Sequence, residues 1–270
     1  MTDEQRVRQP AVAGLFYPFD PRELAAAVRA HLDLGTALSP SQATVGLAKA
    51  IVAPHAGYDY SGPIAGSAFA ALADEADRIR RIVLLGPCHR VPLRGLGLPG
   101  ADALATPLGE VAVDGELAAR VLELPQVSVS VAAHELEHSL EVEIPFLQLL
   151  LGDFTLLPVV VGDAGAEEVG EVLEAAWGGD ETRIVISSDL SHYLPYEESR
   201  TADRSTAERI LALDSVGSHD ACGAYCVNGL LAAARRRGLK GELLDLRNSG
   251  DTAGDRSRVV GYGAFAFYQS

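Results

Sequence analysis

Four short polar signatures sit directly after apolar runs, and each carries a residue able to bind a metal or move a proton. Leu47–Ala53 leads into Pro54-His55-Ala56-Gly57-Tyr58, and Ile82–Leu85 into Gly86-Pro87-Cys88-His89. Ile184–Ile186 leads into Ser187-Ser188-Asp189-Leu190-Ser191-His192, and Leu243–Leu246 into Asn248-Ser249-Gly250-Asp251. Two histidines and one carboxylate with open positions suit non-haem Fe(II), and the same set holds Zn or Cu. A further histidine beside the metal is suited to general acid–base work, because its unperturbed pKa lies near neutrality. His55, His89, His192 and Asp251 supply this chemistry if the four signatures converge on one pocket.

Other motifs point elsewhere. His134-Glu135-Leu136-Glu137-His138 matches H-E-x-x-H, which on a helix puts two zinc ligands on one face with Glu135 placed to activate water. The segment before it, Val127–Ala133, is β-like, and the better helical pattern starts near His138, so His134 is expected in a lead-in loop. Cys88 neighbours His89, where a nearby cation or metal would make it nucleophilic or redox-active. Cys222 and Cys226, four apart on an expected helix, read as small buried core residues. Gly95-Leu96-Gly97-Leu98-Pro99-Gly100 spells G-x-G-x-x-G, but the strand before it and the helix after it that dinucleotide binding needs are missing.

The elements that must position these residues follow a repeated grammar. Apolar, β-branched runs, which include Phe154–Val161 and Val259–Phe267, alternate with Ala/Leu-rich helical stretches. This predicts an α/β fold, a single three-layer domain over residues 1–270 with a mostly parallel central sheet covered by helices. In such sheets ligands bind beyond the carboxyl ends of the strands, where the polar signatures lie. A first helix is expected to enter through Asp20-Pro21 and run toward Leu32, with residues 35–46 as loop and residues 1–9 as a flexible start. The 22 basic and 37 acidic residues give a net charge of −15, which argues against nonspecific binding to nucleic acid or an anionic membrane. No apolar run approaches the roughly 20 residues that span a bilayer. Three cysteines form no disulfide framework, and a reducing cytoplasm is the expected location.

Read together, several segments carry a family resemblance. Ala53-Pro54-His55-Ala56-Gly57-Tyr58, the Gly86–Pro92 stretch, Glu137-His138-Ser139-Leu140-Glu141, Ser187–His192 and the ending Val259–Ala264 occur in order. The chain resembles the MEMO family, known in prokaryotes as AmmeMemoRadiSam system protein B, over nearly its whole length. The resemblance implies a LigB-like fold, related to class III extradiol dioxygenases. It implies His55 and His89 as metal ligands, His192 with Asp189 beside it as the acid–base group, and His138 and Glu141 as a further polar pair near the pocket. Tyr58 and Cys88, carried by the same motifs, are expected to line that pocket. Human-type members place a Cys in the segment aligned with Asn248–Asp255, where this chain has none, and Asp251 is the nearest carboxylate to stand in as third ligand. Fe(II) is the expected metal, with Cu and Zn as alternatives. AMMECR-type and radical SAM proteins are implied partners, and the ligand is a small molecule or a peptide. Whether the pocket turns over a substrate or only binds one is left open by the residues themselves.

Overall fold

A computed structural model describes residues 5–38 and 47–269. The first half of the chain runs β1 (Val7–Arg8), α1 (Pro21–Leu38), β2 (Ala48–Ala53), α2 (Tyr58–Ala70), β3 (Arg81–Pro87), β4 (Leu96–Leu98), β5 (Ala103–Thr106), β6 (Gly109–Ala112), α3 (Gly115–Val121) and β7 (Val127–Val129). The second half runs α4 (Val131–Glu135), α5 (Ile144–Leu150), β8 (Thr155–Val161), α6 (Ala166–Ala175), β9 (Thr182–Ser187), β10 (His192–Leu194), α7 (Tyr196–Leu211), α8 (Ala224–Arg237), β11 (Lys240–Asn248) and β12 (Val259–Tyr268).

The centre of the sheet is parallel, as the continuous apolar runs predict. β2, β9, β3 and β8 lie side by side in that order, all parallel. The flanks are not. β12 runs antiparallel to β2, and β11 antiparallel to β12. On the other side β4 is antiparallel to β8, with β7 parallel to β4 at the edge. A small separate sheet has the order β1-β5-β6. The result is a mixed α/β architecture in which alternate residues of each central strand face opposite helical layers. Val83, Leu85, Ile184 and Ile186 pack toward Val169, Val172, Val227 and Leu230 of α6 and α8. Ile82, Leu84 and Val185 pack toward Ile64, Phe69 and Phe146 of α2 and α5.

Local signals set the helix ends. Asp20 accepts hydrogen bonds from the amides of Arg22 (2.8 Å) and Glu23 (3.1 Å), which caps α1, and Pro21 opens it. α1 then continues to Leu38, past the expected end near Leu32. A Cβ at Gly35 would come within 2.4 Å of Gly66 O on α2, so the residue that reads as a breaker is where two helices touch. The rest of the expected loop, residues 39–46, lies outside the described residues. α8 ends on Gly238 with φ +68°, after Arg235–Arg237 in its last turn. Val7 and Arg8, inside the expected flexible start, pair with Ala103 and Leu104, and residues 1–4 of that start lie outside the described residues. Among the described residues, no helix is long and apolar enough to cross a membrane.

Candidate metal centre

Three of the four polar signatures leave adjacent parallel strands at the same end. His55 follows β2, Asp189 follows β9, and His89 follows β3, so the sheet order sets Ser187 and Asp189 between the two histidines. One donor atom each from His55, His89 and Cys222 lie within 4.8 Å of one another. His55 Nε2 and Cys222 Sγ are 3.3 Å apart. Two ligands on one tetrahedral ion at ordinary Zn–N and Zn–S lengths stand about 3.5 Å apart, so the spacing fits a shared metal.

Each donor is held by neighbours with little freedom. His55 is buried, its amide donates to Asp189 Oδ1 at 2.8 Å, and its Nδ1 meets Ser187 Oγ at 2.7 Å. The Asp189 amide donates to Cys222 Sγ at 3.3 Å, and the Cys222 amide donates back to Asp189 O at 3.2 Å. Asp189 therefore positions two of the three donors rather than contributing one. Gly223 lets Cys222 come this close, since a Cβ there would lie 2.7 Å from Ser188 Cβ and Oγ. His89 is held by the buried Glu137: its Nδ1 donates to Oε1 at 2.9 Å and its amide to Oε2 at 2.5 Å. Glu137 Oε1 also accepts the amides of His138 (2.9 Å) and Ser139 (3.0 Å). A carboxylate on the far nitrogen of a ligating imidazole fixes its tautomer and leaves the other nitrogen bare for metal.

Electrostatics agree with this division. Burial pulls His55 well below its ordinary value, reinforced by His89 and His138 nearby, so it stands neutral. Burial would raise the Glu137 carboxyl, but the histidines and the Ser139 amide outweigh it and hold it well below the carboxylate range. Burial pushes the Cys222 thiol up, so without a metal it keeps its proton.

His138 is close to this group without belonging to it. Its ring stacks on His89 with centroids 4.9 Å apart and meets His55 edge-on at 5.5 Å. His89, Glu137 and His138 also place donor atoms within 4.8 Å of one another. That trio is better described as a hydrogen-bonded support, because His89 Nδ1 is already engaged by the Glu137 carboxylate. His192 is exposed at the same sheet end, and its Nδ1 donates to Leu190 O at 2.8 Å, which leaves Nε2 as an acceptor. A cleft of about 560 Å³ reaches two of the donors, His89 and Cys222, and is lined also by Cys88, by apolar Val91, Pro92, Leu93 and Val161, and by charged Arg94 and Asp163.

The structure does not bring Asp251 to the donors. Its Oδ1 accepts from Tyr196 OH at 2.5 Å and its Oδ2 from the Asn248 amide at 3.0 Å. β11, which delivers it, is separated from β2 by β12, two strand spacings or about 10 Å sideways. Cys222 stands in the place expected of Asp251. Glu141 faces away from the cleft as well. It accepts the amides of Ala11 (2.7 Å) and Val12 (3.0 Å), the hydroxyl of Tyr17 (2.6 Å) and the guanidinium of Arg8. It thereby straps the N-terminal segment down and sets Phe16 against His138, ring centroids 4.7 Å apart. Tyr58 turns into the core, donating its hydroxyl to Val142 O at 2.7 Å. The H-E-x-x-H segment is not one helix. α4 stops at Glu135, and His134 is buried with its ring nitrogen 2.8 Å from Gly97 O.

The residues that sequence reasoning passed over are Cys222, Glu137, Ser187 and Glu143. For Cys222 a signal was present: the Ala-Cys-Gly step just before α8 puts a small residue next to the thiol, as close backbone approach requires. For the two glutamates no local pattern marks a carboxylate that will be buried.

Comparison with known proteins covers all of these positions together. A family model described as Memo-like protein matches residues 8–266. A MEMO1 family protein of Aquifex aeolicus is 40% identical over 95% of this chain and 97% of its own length. One of Archaeoglobus fulgidus is 37% identical over 97% and 99%. Among solved structures, an uncharacterized Escherichia coli K12 protein matches with a TM-score of 0.52 at 16% identity, over 80% of this chain and 98% of that one, a likeness of fold alone. The family match spans His55, His89 and Cys222 alike, and the chain belongs to the Memo-like protein family.

Proposed function

We propose that His55, His89 and Cys222 hold one redox-active metal, iron or copper, and that the protein is a metal-dependent redox enzyme or oxygenase acting on a small molecule in the adjoining cleft. The observation that carries this reading is the convergence of three donor atoms within 4.8 Å at one sheet end. The hydrogen bonds support it, since the Glu137 carboxylate engages one nitrogen of His89 and the Ser187 hydroxyl one of His55, and the second nitrogen of His55 faces Cys222 Sγ. Two imidazoles and a sulfur form a softer set than two imidazoles and a carboxylate, which widens the preference from Fe(II) to Cu(I) and Zn. When bound, iron or copper supplies one-electron and oxygen chemistry. His192 Nε2, free to accept, takes or returns the substrate proton, while the strap that sets Phe16 over His138 keeps water from one side of the histidine cluster. Loading requires Cys222 to lose its proton, so metal affinity rises with pH. A reducing compartment suits a centre whose thiol must stay free, and all three cysteines are free.

The test is elemental analysis of protein purified without oxygen and reconstituted separately with Fe(II), Cu(I) and Zn. Near-stoichiometric metal that is lost in His55→Ala, His89→Ala and Cys222→Ser, but kept in Asp251→Ala and His134→Ala, supports the centre. Oxygen uptake by the loaded protein is then the screen for turnover. Absence of metal from every preparation refutes the reading and leaves a non-catalytic site for a peptide or small ligand in the same cleft.

A further inference from the structure

Ser187 ends β9 fully buried, and its hydroxyl is met by three polar groups at once. Ser139 O lies 2.6 Å from Oγ, His55 Nδ1 2.7 Å and Glu143 Oε1 2.9 Å. A hydroxyl has one proton to give and two lone pairs to receive with. Ser139 O is a backbone carbonyl and only accepts, and it is the closest of the three. The Ser187 proton therefore points at Ser139 O, and the other two partners must donate. For His55 this means a proton on Nδ1 and a bare Nε2, the nitrogen that faces Cys222 at 3.3 Å. For Glu143 it means a protonated, neutral carboxyl whose O–H donates to Ser187.

Independent features agree. Glu143 is wholly buried, and no cation pairs with it among the described residues. Its second oxygen, Oε2, has no hydrogen-bond partner among those residues either. An unpartnered carbonyl oxygen of a neutral acid is tolerable in a dry site, whereas the same atom in a carboxylate would leave a buried charge half solvated by nothing. Burial, helped by Asp189, pushes the Glu143 carboxyl well above its ordinary range.

We propose that Ser187 is the positioning residue that fixes His55 in its Nδ1–H tautomer, through a hydroxyl oriented by Ser139 O and saturated by neutral Glu143. It rests on the reading of His55 as a metal ligand only for its consequence, because the tautomer itself exists without metal. On this view the site is set before any ion arrives: the Ser187 node presents Nε2 of His55, and Glu137 presents the second nitrogen of His89.

Nitrogen-15 NMR of the histidine rings in the metal-free protein reads the tautomer directly, and titration with Zn(II), whose binding needs no oxidant, reads affinity. In the unmodified protein His55 shows a protonated Nδ1 and an unprotonated Nε2. Ser187→Ala mixes the tautomers and lowers Zn(II) affinity roughly 10- to 100-fold, the range for lost outer-shell partners. Ser187→Thr, which restores a hydroxyl, recovers the single tautomer. Glu143→Gln, whose amide still donates to Ser187, keeps the tautomer and stays within about threefold of the original affinity by the same outer-shell reasoning. Protonated Nε2 on His55 in the unmodified protein overturns the proposal, and that measurement needs no variant to fold. An unchanged tautomer and affinity in Ser187→Ala also overturns it. A tautomer that follows Ser187 in a protein that binds no metal supports the inference while refuting the metal centre.

Discussion

Replacing Glu137 by Gln removes one charge from the support of His89 while keeping its shape. Oε1 takes His89 Nδ1 and two amides at 2.9–3.0 Å, and Oε2 takes the His89 amide at 2.5 Å. A Gln that keeps its oxygen under the three donors turns its NH2 against the fourth, donor facing donor. One buried donor without a partner costs about 1–3 kcal/mol, and weakening three charge-assisted bonds to neutral ones adds about 1 kcal/mol each. The substitution therefore costs about 4–6 kcal/mol, a large part of a stability of roughly 5–15 kcal/mol. Metal affinity falls about 10- to 100-fold, because the ring is no longer fixed. The pH dependence identifies the cause. The folded Glu137 carboxyl sits well below its ordinary 4.5, so in acid the unfolded chain binds a proton that the folded chain refuses. Its contribution is complete above the unfolded value and is lost as the pH falls, by about 1.4 kcal/mol per pH unit, or about 2 kcal/mol by pH 3. Urea unfolding of metal-free protein at pH 6 and pH 3 should show a stability gap between the unmodified protein and the Glu137→Gln variant that narrows by that amount in acid. An equal gap at both pH values would refute the assignment of Glu137 as a buried anion.

Three further perturbations test the strap, the Cys222 turn and a buried lysine at the far end of β2. Glu141→Gln leaves Arg8, whose side chain is 9% exposed, without its counter-charge, and should cost about 3–5 kcal/mol and open residues 8–20 to limited proteolysis; an unchanged urea midpoint and cleavage pattern would argue against the strap. Gly223→Ala drives a Cβ into Ser188 at 2.7 Å and should cost about 1–3 kcal/mol by overpacking and weaken metal loading through Cys222, so wild-type loading would contradict the close-approach account. Lys49 donates to Trp177 O, Gly179 O and Thr182 O, and burial pulls its ammonium down to about 8. Above that pH the folded chain has released a proton that the unfolded chain still holds, so stability from this group rises with pH, by about 2 kcal/mol between pH 8 and 9.5; Lys49→Met should lack that rise, and parallel urea curves for the two proteins would disprove it.

What the sequence reveals of this protein depends on the range of the interaction. The six apolar runs read as strands all form strands, because continuous burial on two faces demands apolar residues wherever the strand lies. Strand direction is less legible: Leu243–Leu246 and Val259–Phe267 look like central parallel strands and form the antiparallel flank, where β11 is only half buried. That lateral displacement is what separates Asp251 from the histidines. His55 and His89 are legible because their place after a strand predicts where they point. Cys222 is not, since its spacing to Cys226 suggests one helix face, whereas α8 starts only at Ala224 and leaves Cys222 in the turn that meets Asp189. H-E-x-x-H fails for the same reason. Its periodicity holds only if the helix continues, and the chain departs from α4 after Glu135.

The segment from Glu137 to Glu143 shows how one stretch of chain can serve three distant parts of the fold. All three of its glutamates are buried, at 2%, 1% and 0% exposure, an arrangement that costs heavily unless each finds its own compensation. Glu137 finds it in four donors and stays an anion, fixing His89. Glu141 finds it in Arg8, Tyr17 and two amides of the N-terminal segment. Glu143 faces only the Ser187 hydroxyl, at 2.9 Å, and on the proposal above it takes a proton and offers it there. Arg8 closes the arrangement by also donating to the carbonyl of Glu137, so the strap and the His89 support share one guanidinium. The two carboxylates and one neutral acid are not interchangeable: each charge state is dictated by the number of donors its position can supply.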